Sequence, residues 1–205
     1  LELDRRCQQQ IEKILRKGFP QIPILGEEGV QGDPRAPQRW VVDPIDGTTL
    51  TSKGLPNAIA VIAVGNEGTL ASLPSYYVNK IAVGPEATGS IDINDSVQAN
   101  LERVAKASGA RTRELTAIVL DRPRHSEIIA QVREAGARIK LISDGDVAGA
   151  IATAMEDSGV NILFGIGGAP EAVLAAAALK CLGGEMQVKM WPRDEEERGK
   201  ILDMG

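Results

Sequence analysis

From about Ser96 onward the chain alternates without interruption between helical and strand patterns, and no other feature restricts its fold as strongly. Helix-period segments at Val97–Ala107, His125–Glu134, Val147–Glu156 and Pro170–Leu182 are spaced by apolar runs at Thr116–Leu120, Arg138–Ile142, Asn161–Phe164 and Glu185–Met190. Repeated strand-helix units of this length need right-handed crossovers, which predicts a mostly parallel sheet in an α/β second half. The first half has fewer helices and more turns and reads as α+β. It starts with a helix over 1–18 in which Leu3, Cys7, Ile11, Ile14 and Leu15 recur at three and four, Asp4 shares their inward face, and Gly18 and Pro20 end the element. Strands are expected at Ile22–Leu25, Trp40–Val42 and Ala58–Val64, with a polar loop over Gly29–Gln38. The two regions, 1–88 and 89–205, meet at a soft boundary between Gly84 and Asp95.

At 43% hydrophobic content over 205 residues the chain can bury a substantial core. A formal net charge of −5 with no long Lys/Arg run argues against a nucleic-acid or anionic-membrane surface, so anionic ligands must be met locally. No apolar run reaches the roughly 18 residues of a membrane span. The two cysteines, Cys7 and Cys181, lack a metal-type spacing and suit a reducing, cytoplasmic setting.

Two groups of residues carry chemistry. The first is the strand Trp40-Val-Val-Asp43 running into Pro-Ile-Asp46-Gly47-Thr48-Thr49, which sets two carboxylates and a hydroxyl at one strand end. A turn alone would not ask for the first Asp and the second Thr. Ile24-Leu25-Gly26-Glu27-Glu28 is a similar strand running into acids, although a solvated turn reads these two glutamates equally well. Oxygen-only donors with no His or Cys pair nearby select Mg²⁺ or Mn²⁺ rather than Zn²⁺. The second group lies where ligands gather in parallel sheets, beyond the carboxyl ends of the strands: Asp121-Arg122-Pro123-Arg124-His125, Ser143-Asp144-Gly145-Asp146 and Gly165-Ile166-Gly167-Gly168-Ala169-Pro170-Glu171. Guanidiniums suit phosphate, carboxylates suit sugar hydroxyls, and a glycine loop at a helix start suits phosphate oxygens. Singly, the arginines read as solvated charges, Asp146 as an N-cap and the glycines as a tight turn; together they describe a site for a phosphorylated polyol.

The Gly-Glu-Glu and Trp-Val-Val-Asp-Pro-Ile-Asp-Gly-Thr-Thr segments resemble the metal-site signature of the lithium-sensitive sugar and inositol phosphatase superfamily. From Leu50 onward the chain resembles class II fructose-1,6-bisphosphatases, through Lys53-Gly-Leu-Pro-Asn-Ala-Ile-Ala-Val, Tyr77-Val-Asn-Lys80-Ile-Ala-Val-Gly-Pro, Leu120-Asp-Arg-Pro-Arg-His, Ser143-Asp-Gly-Asp-Val-Ala and Gly165–Glu171. The resemblance implies a layered α-β-α-β-α sugar-phosphatase fold, and Mg²⁺ or Mn²⁺ held by Asp4, Glu27, Asp43, the Ile45 carbonyl, Asp46 and Glu171. It makes Asp4, Thr48 and Glu27 catalytic, with Asp4 and Thr48 orienting the attacking water. It places substrate on Gly47, Thr48, Tyr77, Arg122, Pro123, Arg124, Asp144, Gly145, Asp146 and Gly168, with Lys80 as an auxiliary phosphate contact and His125 as a helix-start residue.

The expected reaction is hydrolysis of the 1-phosphate of fructose 1,6-bisphosphate by a cytoplasmic dimer or tetramer that binds neither nucleic acid nor membrane. Sedoheptulose 1,7-bisphosphate hydrolysis and inositol-monophosphatase activity are the enzymatic alternatives. Relative to the family pattern the chain reads as shortened at both ends, so an inactive sugar-phosphate binder is the alternative of another class. Asp46 also stands where many class II members have Glu, and the loop from Glu28 to Trp40 is short.

Overall fold

Apolar patterning sorts this chain into five layers. The computed structural model describes residues 2–26, 29–31, 38–66, 69–71, 73 and 75–203. The first sheet has the order β2-β1-β3-β4, from β1 (Ile24–Gly26), β2 (Gly29–Gln31), β3 (Gln38–Asp46) and β4 (Ile59–Asn66). Helix α1 (Glu2–Gly18) packs on its β3, and a short helix α2 (Thr48–Ser52) follows β3 directly. The second sheet, β7-β6-β8-β5-β9, is built from β5 (Tyr77–Val83), β6 (Thr116–Leu120), β7 (Arg138–Ile142), β8 (Ile162–Gly168) and β9 (Glu185–Met190).

Helices α3 (Val97–Ala107) and α4 (Ser126–Glu134) cover one face of the second sheet, where Leu101, Val104, Ile129 and Val132 meet Ile81, Val83, Val119 and Phe164. Helices α5 (Asp146–Ala152) and α6 (Ala169–Leu182) cover the other face, where Val147, Ala150, Ala175 and Leu179 meet Ala82, Ile118 and Leu163. The same two helices receive Ile59 and Val61 of the first sheet, and Val173 and Leu174 of α6 pack on its Val41. The layers therefore run α1, first sheet, α5 and α6, second sheet, α3 and α4. This is the expected α-β-α-β-α order. Helix α7 (Glu195–Asp203) closes the described chain.

All four second-half strands run in one direction: β6 is parallel to β7 and β8, while β5 lies antiparallel between β8 and β9. Strand β5 comes from the first half of the chain and was not foreseen as a strand. Its alternation is hidden because one inward position is Lys80, and Ile81-Ala82-Val83 is buried on both faces, as central strands are.

Other differences have local causes. On α1 the buried face is Asp4, Gln8 and Glu12, whereas Leu3 and Ile14 are exposed. The Gln8 side chain lies where a Cβ at Gly26 would stand and donates to Glu12 Oε1 at 2.9 Å, so a polar stripe rather than the apolar one turns toward the sheet. β2 occupies part of the expected polar loop by pairing antiparallel with β1. Helix α5 stops at Ala152, short of Glu156. β8 continues through Gly168 instead of ending in a glycine loop, because Gly165–Gly168 pairs with Tyr77–Lys80.

Candidate active site

The signature strand is bent so that its acids face one way. Residues 43 and 46, an odd number apart, would point to opposite faces of a regular strand. In β3, however, Asp43 pairs with Val61 and Asp46 with Ile59, three steps against two, which is a β-bulge. The extra residue restores the parity, and both carboxylates turn toward the middle layer along with Val61 and Ile59. Both are buried. Asp43 Oδ1 accepts the Ile45 N–H at 3.0 Å, which holds the bulge closed. Gly47 then takes φ +95° to start α2, a left-handed conformation that suits glycine, and leaves Thr48 half-buried at the first helical position.

Asp46 reaches across to the other half. Helix α5 has Gly145 (φ +82°) at its N-cap and therefore no side chain of its own there. Asp46 Oδ2 takes that role, accepting the Ala148 N–H at 3.1 Å. A Cβ on Gly145 would stand 3.5 Å from this oxygen. A second tether lies beside it: the Thr49 N–H donates to Asp144 Oδ2 at 2.9 Å, and Arg122 Nη2 stands 3.7 Å from Asp144 Oδ1.

Asp146 and Glu171 complete the acidic group from the starts of α5 and α6. Asp146 is the first residue of its helix, not the N-cap, and its Oδ2 is 2.6 Å from Lys80 Nζ. Lys80 is fully buried. Its side chain, expected as an auxiliary phosphate contact, ends in the middle layer among carboxylates. Burial pushes the Asp46 carboxyl up to about 7, and the Asp146 and Glu171 carboxylates add to the rise; the Ala148 N–H and Lys80 pull the other way. Glu171 is also raised, chiefly by burial, against the Lys80 charge. The glycines of β8 make the space: a Cβ at Gly168 would overlap the Glu171 carboxylate, and one at Gly167 would overlap Asp146 and stand 2.8 Å from Lys80 Nζ.

A neighbouring wall is aromatic and basic. Arg124 lies over the Tyr77 ring with Cζ 5.4 Å from its centroid, and its Nε donates to the Ile166 carbonyl at 2.9 Å. Pro123 is exposed in the turn between these arginines. Trp191 meets Tyr77 edge-on at 6.2 Å, and its backbone N–H donates to the Tyr77 carbonyl at 3.0 Å. Trp191 was missed; one of only two tryptophans directly after a strand was the available signal. His125 is buried at the N-cap of α4, with Nδ1 2.7 Å from the Leu120 carbonyl and Nε2 accepting the Ile166 N–H at 2.8 Å. That arrangement fixes a neutral imidazole, and burial lowers its pKa further.

Asp4 is buried on α1, against β3. Glu27 and Glu28 lie outside the described residues. Among the described residues no three His, Cys, Asp or Glu side chains close to metal-ligating distance, and no helix is long and apolar enough to cross a membrane. The donor chemistry of Asp43, Asp46 and Glu171, oxygen only, fits a hard divalent ion.

A family model described as bacterial fructose-1,6-bisphosphatase, glpX-encoded, matches residues 23–205. The class 2 fructose-1,6-bisphosphatase of Haemophilus influenzae is 46% identical over 165 residues, which is 78% of this chain and 50% of that protein. Fructose-1,6-bisphosphatase 1 class 2 of Escherichia coli K12 is 46% identical over 165 residues, 78% of this chain and 49% of its own length. The chain thus spans about half the length of these curated relatives. Among solved structures, an inositol monophosphatase from Anabaena (Nostoc) aligns with a TM-score of 0.57 at 14% identity, covering 98% of this chain and 86% of that one. Mycobacterium tuberculosis SuhB aligns at 0.53 and 18% identity, covering 98% and 83%. At such identities these two structures speak to the fold alone.

Proposed function

The chain belongs to the bacterial, glpX-encoded fructose-1,6-bisphosphatase family, and on that premise we propose that it hydrolyses the 1-phosphate of fructose 1,6-bisphosphate in a divalent-metal-dependent reaction. The observation that supports this reading is the convergence of Asp46, Asp146 and Glu171 on the middle layer around Lys80, where burial first, and the neighbouring carboxylates after it, raise Asp46 to about 7. Acids gathered this way ask for a cation.

In this reading Asp43, the Ile45 carbonyl, Asp46 and Glu171 hold the ion, Mg²⁺ or Mn²⁺, with Glu27 beside them. The ion supplies charge neutralisation on the phosphoryl and leaving oxygens. Asp4 and Thr48 orient a water in line with the 1-phosphate; as its oxygen bonds to phosphorus the Asp4 carboxylate takes one proton, while the Thr48 hydroxyl accepts a hydrogen bond and holds the water in place. The P–O bond to C1 breaks, and the sugar oxygen leaves as an alkoxide that takes a proton from solvent. Gly47 and Gly145 have no side chains, which lets phosphate and sugar approach the backbone. Asp144 and Asp146 face the sugar hydroxyls, and Gly168 leaves room beside them. Arg122, Arg124 and Tyr77 anchor the second phosphate, with Pro123 fixing the turn that carries the arginines. These roles follow the match between this sequence and the family pattern.

Phosphate release from fructose 1,6-bisphosphate, measured with Mg²⁺, Mn²⁺ or chelator, tests the reading. Release abolished by chelator and restored by either ion is expected; no release under any condition refutes it. Asp43→Asn is expected to lose turnover and to weaken metal binding. Retained Mg²⁺-dependent activity in that variant would sink the proposed site.

A further inference from the structure

Lys80 is the strangest residue of this interior. It sits in the middle of β5, 2% exposed, and among the largest fully buried side chains of the protein. Burying an ammonium is costly unless it is paired. Here the pairing is with Asp146 Oδ2, at 2.6 Å, and among the described residues Nζ has no other partner. The space it occupies is prepared. Lys80 and Gly165 are paired across β5 and β8, so Gly165 and Gly167 share its face, and a side chain at Gly167 would run into Lys80 Cε and Nζ. Its charge also reaches Asp46, from the opposite sheet, and Glu171, from α6.

We propose that Lys80 is a positioning residue, a resident cation that holds the acids of the middle layer together before a divalent ion arrives and sets how much charge that ion must balance. This rests on the reading of the site as a divalent-metal phosphatase centre. With Lys80 beside them, the ionised carboxylates of Asp46, Asp146 and Glu171 carry a net two negative charges. Without Lys80 the same acids would carry three. The metal-free nest would then repel itself more strongly, and its hold on a divalent ion would tighten because no fixed cation opposes the incoming charge. Lys80 therefore trades metal affinity for a site that is already assembled.

The test is Mn²⁺ binding, followed by the paramagnetic resonance signal of free Mn²⁺, in the parent chain and in Lys80→Met, which keeps the length and removes the charge. Lys80→Gln gives the same readout if Lys80→Met does not fold. The variant is expected to bind Mn²⁺ at least tenfold more tightly, to melt lower than the parent in chelator, and to gain more in melting temperature when Mn²⁺ is added. Unchanged or weaker Mn²⁺ binding by the folded variant overturns the inference, because loss of a merely structural lysine would loosen the ligands. Failure of the parent chain to bind Mn²⁺ overturns the metal reading itself, and the inference with it.

Discussion

Two glycines two residues apart on the same face of β8 should respond oppositely to the same methyl group. At Gly167 an added Cβ overlaps the Asp146 carboxylate and lies 2.8 Å from both Lys80 Cε and Nζ. At Gly165 its nearest neighbour is His125 Nε2, 4.0 Å away. Neither residue has a positive φ, so backbone strain does not separate them. Overfilling a packed interior costs about 1–3 kcal/mol, and breaking a buried ion pair by removing one partner costs about 3–5 kcal/mol. Gly167→Ala displaces the Lys80–Asp146 pair without removing either charge, so a loss of about 2–4 kcal/mol is expected. Gly165→Ala should range from neutral to about 1 kcal/mol stabilising, because alanine restricts the unfolded chain. Urea unfolding of both variants in chelator, read as a midpoint shift at constant slope, gives the comparison. Adding Lys80→Met to Gly167→Ala should recover part of the loss, since the clash and the pair share an atom group. Equal midpoints for the two alanine variants would refute the steric account of Gly167 and, with it, the claim that β8 is glycine-rich to admit Lys80.

Three further outcomes follow from the site. Asp46 titrates at about 7 in the folded protein against an ordinary 3.8, so the metal-free fold retains a proton that the unfolded chain gives up; stability is then full below about pH 4 and declines as pH rises through 7. The decline amounts to about 4 kcal/mol at most at ~1.4 kcal/mol per unit. Urea midpoints in chelator at pH 5 and pH 8 measure it, and an Asp46→Asn variant with the same pH slope would exclude Asp46 as the cause. Asp144→Ala leaves the Thr49 N–H without its acceptor, which should cost about 1–2 kcal/mol and raise KM for the bisphosphate; an unchanged melting curve would show that the tether is idle. Trp191→Ala removes the edge contact on Tyr77 and should raise KM several-fold with little change in kcat, and equal loss in both would move Trp191 out of the anchoring wall.

The sequence made the layers legible because strand and helix periods in the second half are long and uninterrupted. The Trp40–Thr49 segment stood out for a different reason: two acids at the end of an apolar strand have no use in a core unless something there needs their charge. What stayed hidden was pairing at a distance. Nothing local to Gly145 says that its helix is capped by Asp46, 99 residues earlier, and nothing local to Gly165–Gly168 says that they continue a strand instead of forming a loop. Lys80 was legible only as an auxiliary phosphate contact implied by the resemblance; its burial depends on Asp146 and on Gly167, both supplied by later elements. On α1, period three-and-four apolar positions pointed to the wrong face because Gln8 and Glu12 satisfy each other inside.

Strand β5 has a consequence for synthesis on the ribosome. It is made early, yet both strands that flank it, β8 and β9, begin more than 75 residues after it ends. At roughly 5–20 residues per second, β5 waits on the order of 4–17 s for β8 alone. During that interval Ile81, Ala82 and Val83 have no sheet to enter, and Lys80 is their soluble neighbour. A charge within an otherwise apolar strand is the kind of residue that discourages an unpaired segment from joining another nascent chain. The ammonium that ends in the middle layer would thus keep its own strand in solution until Asp146 and the glycines of β8 have been made.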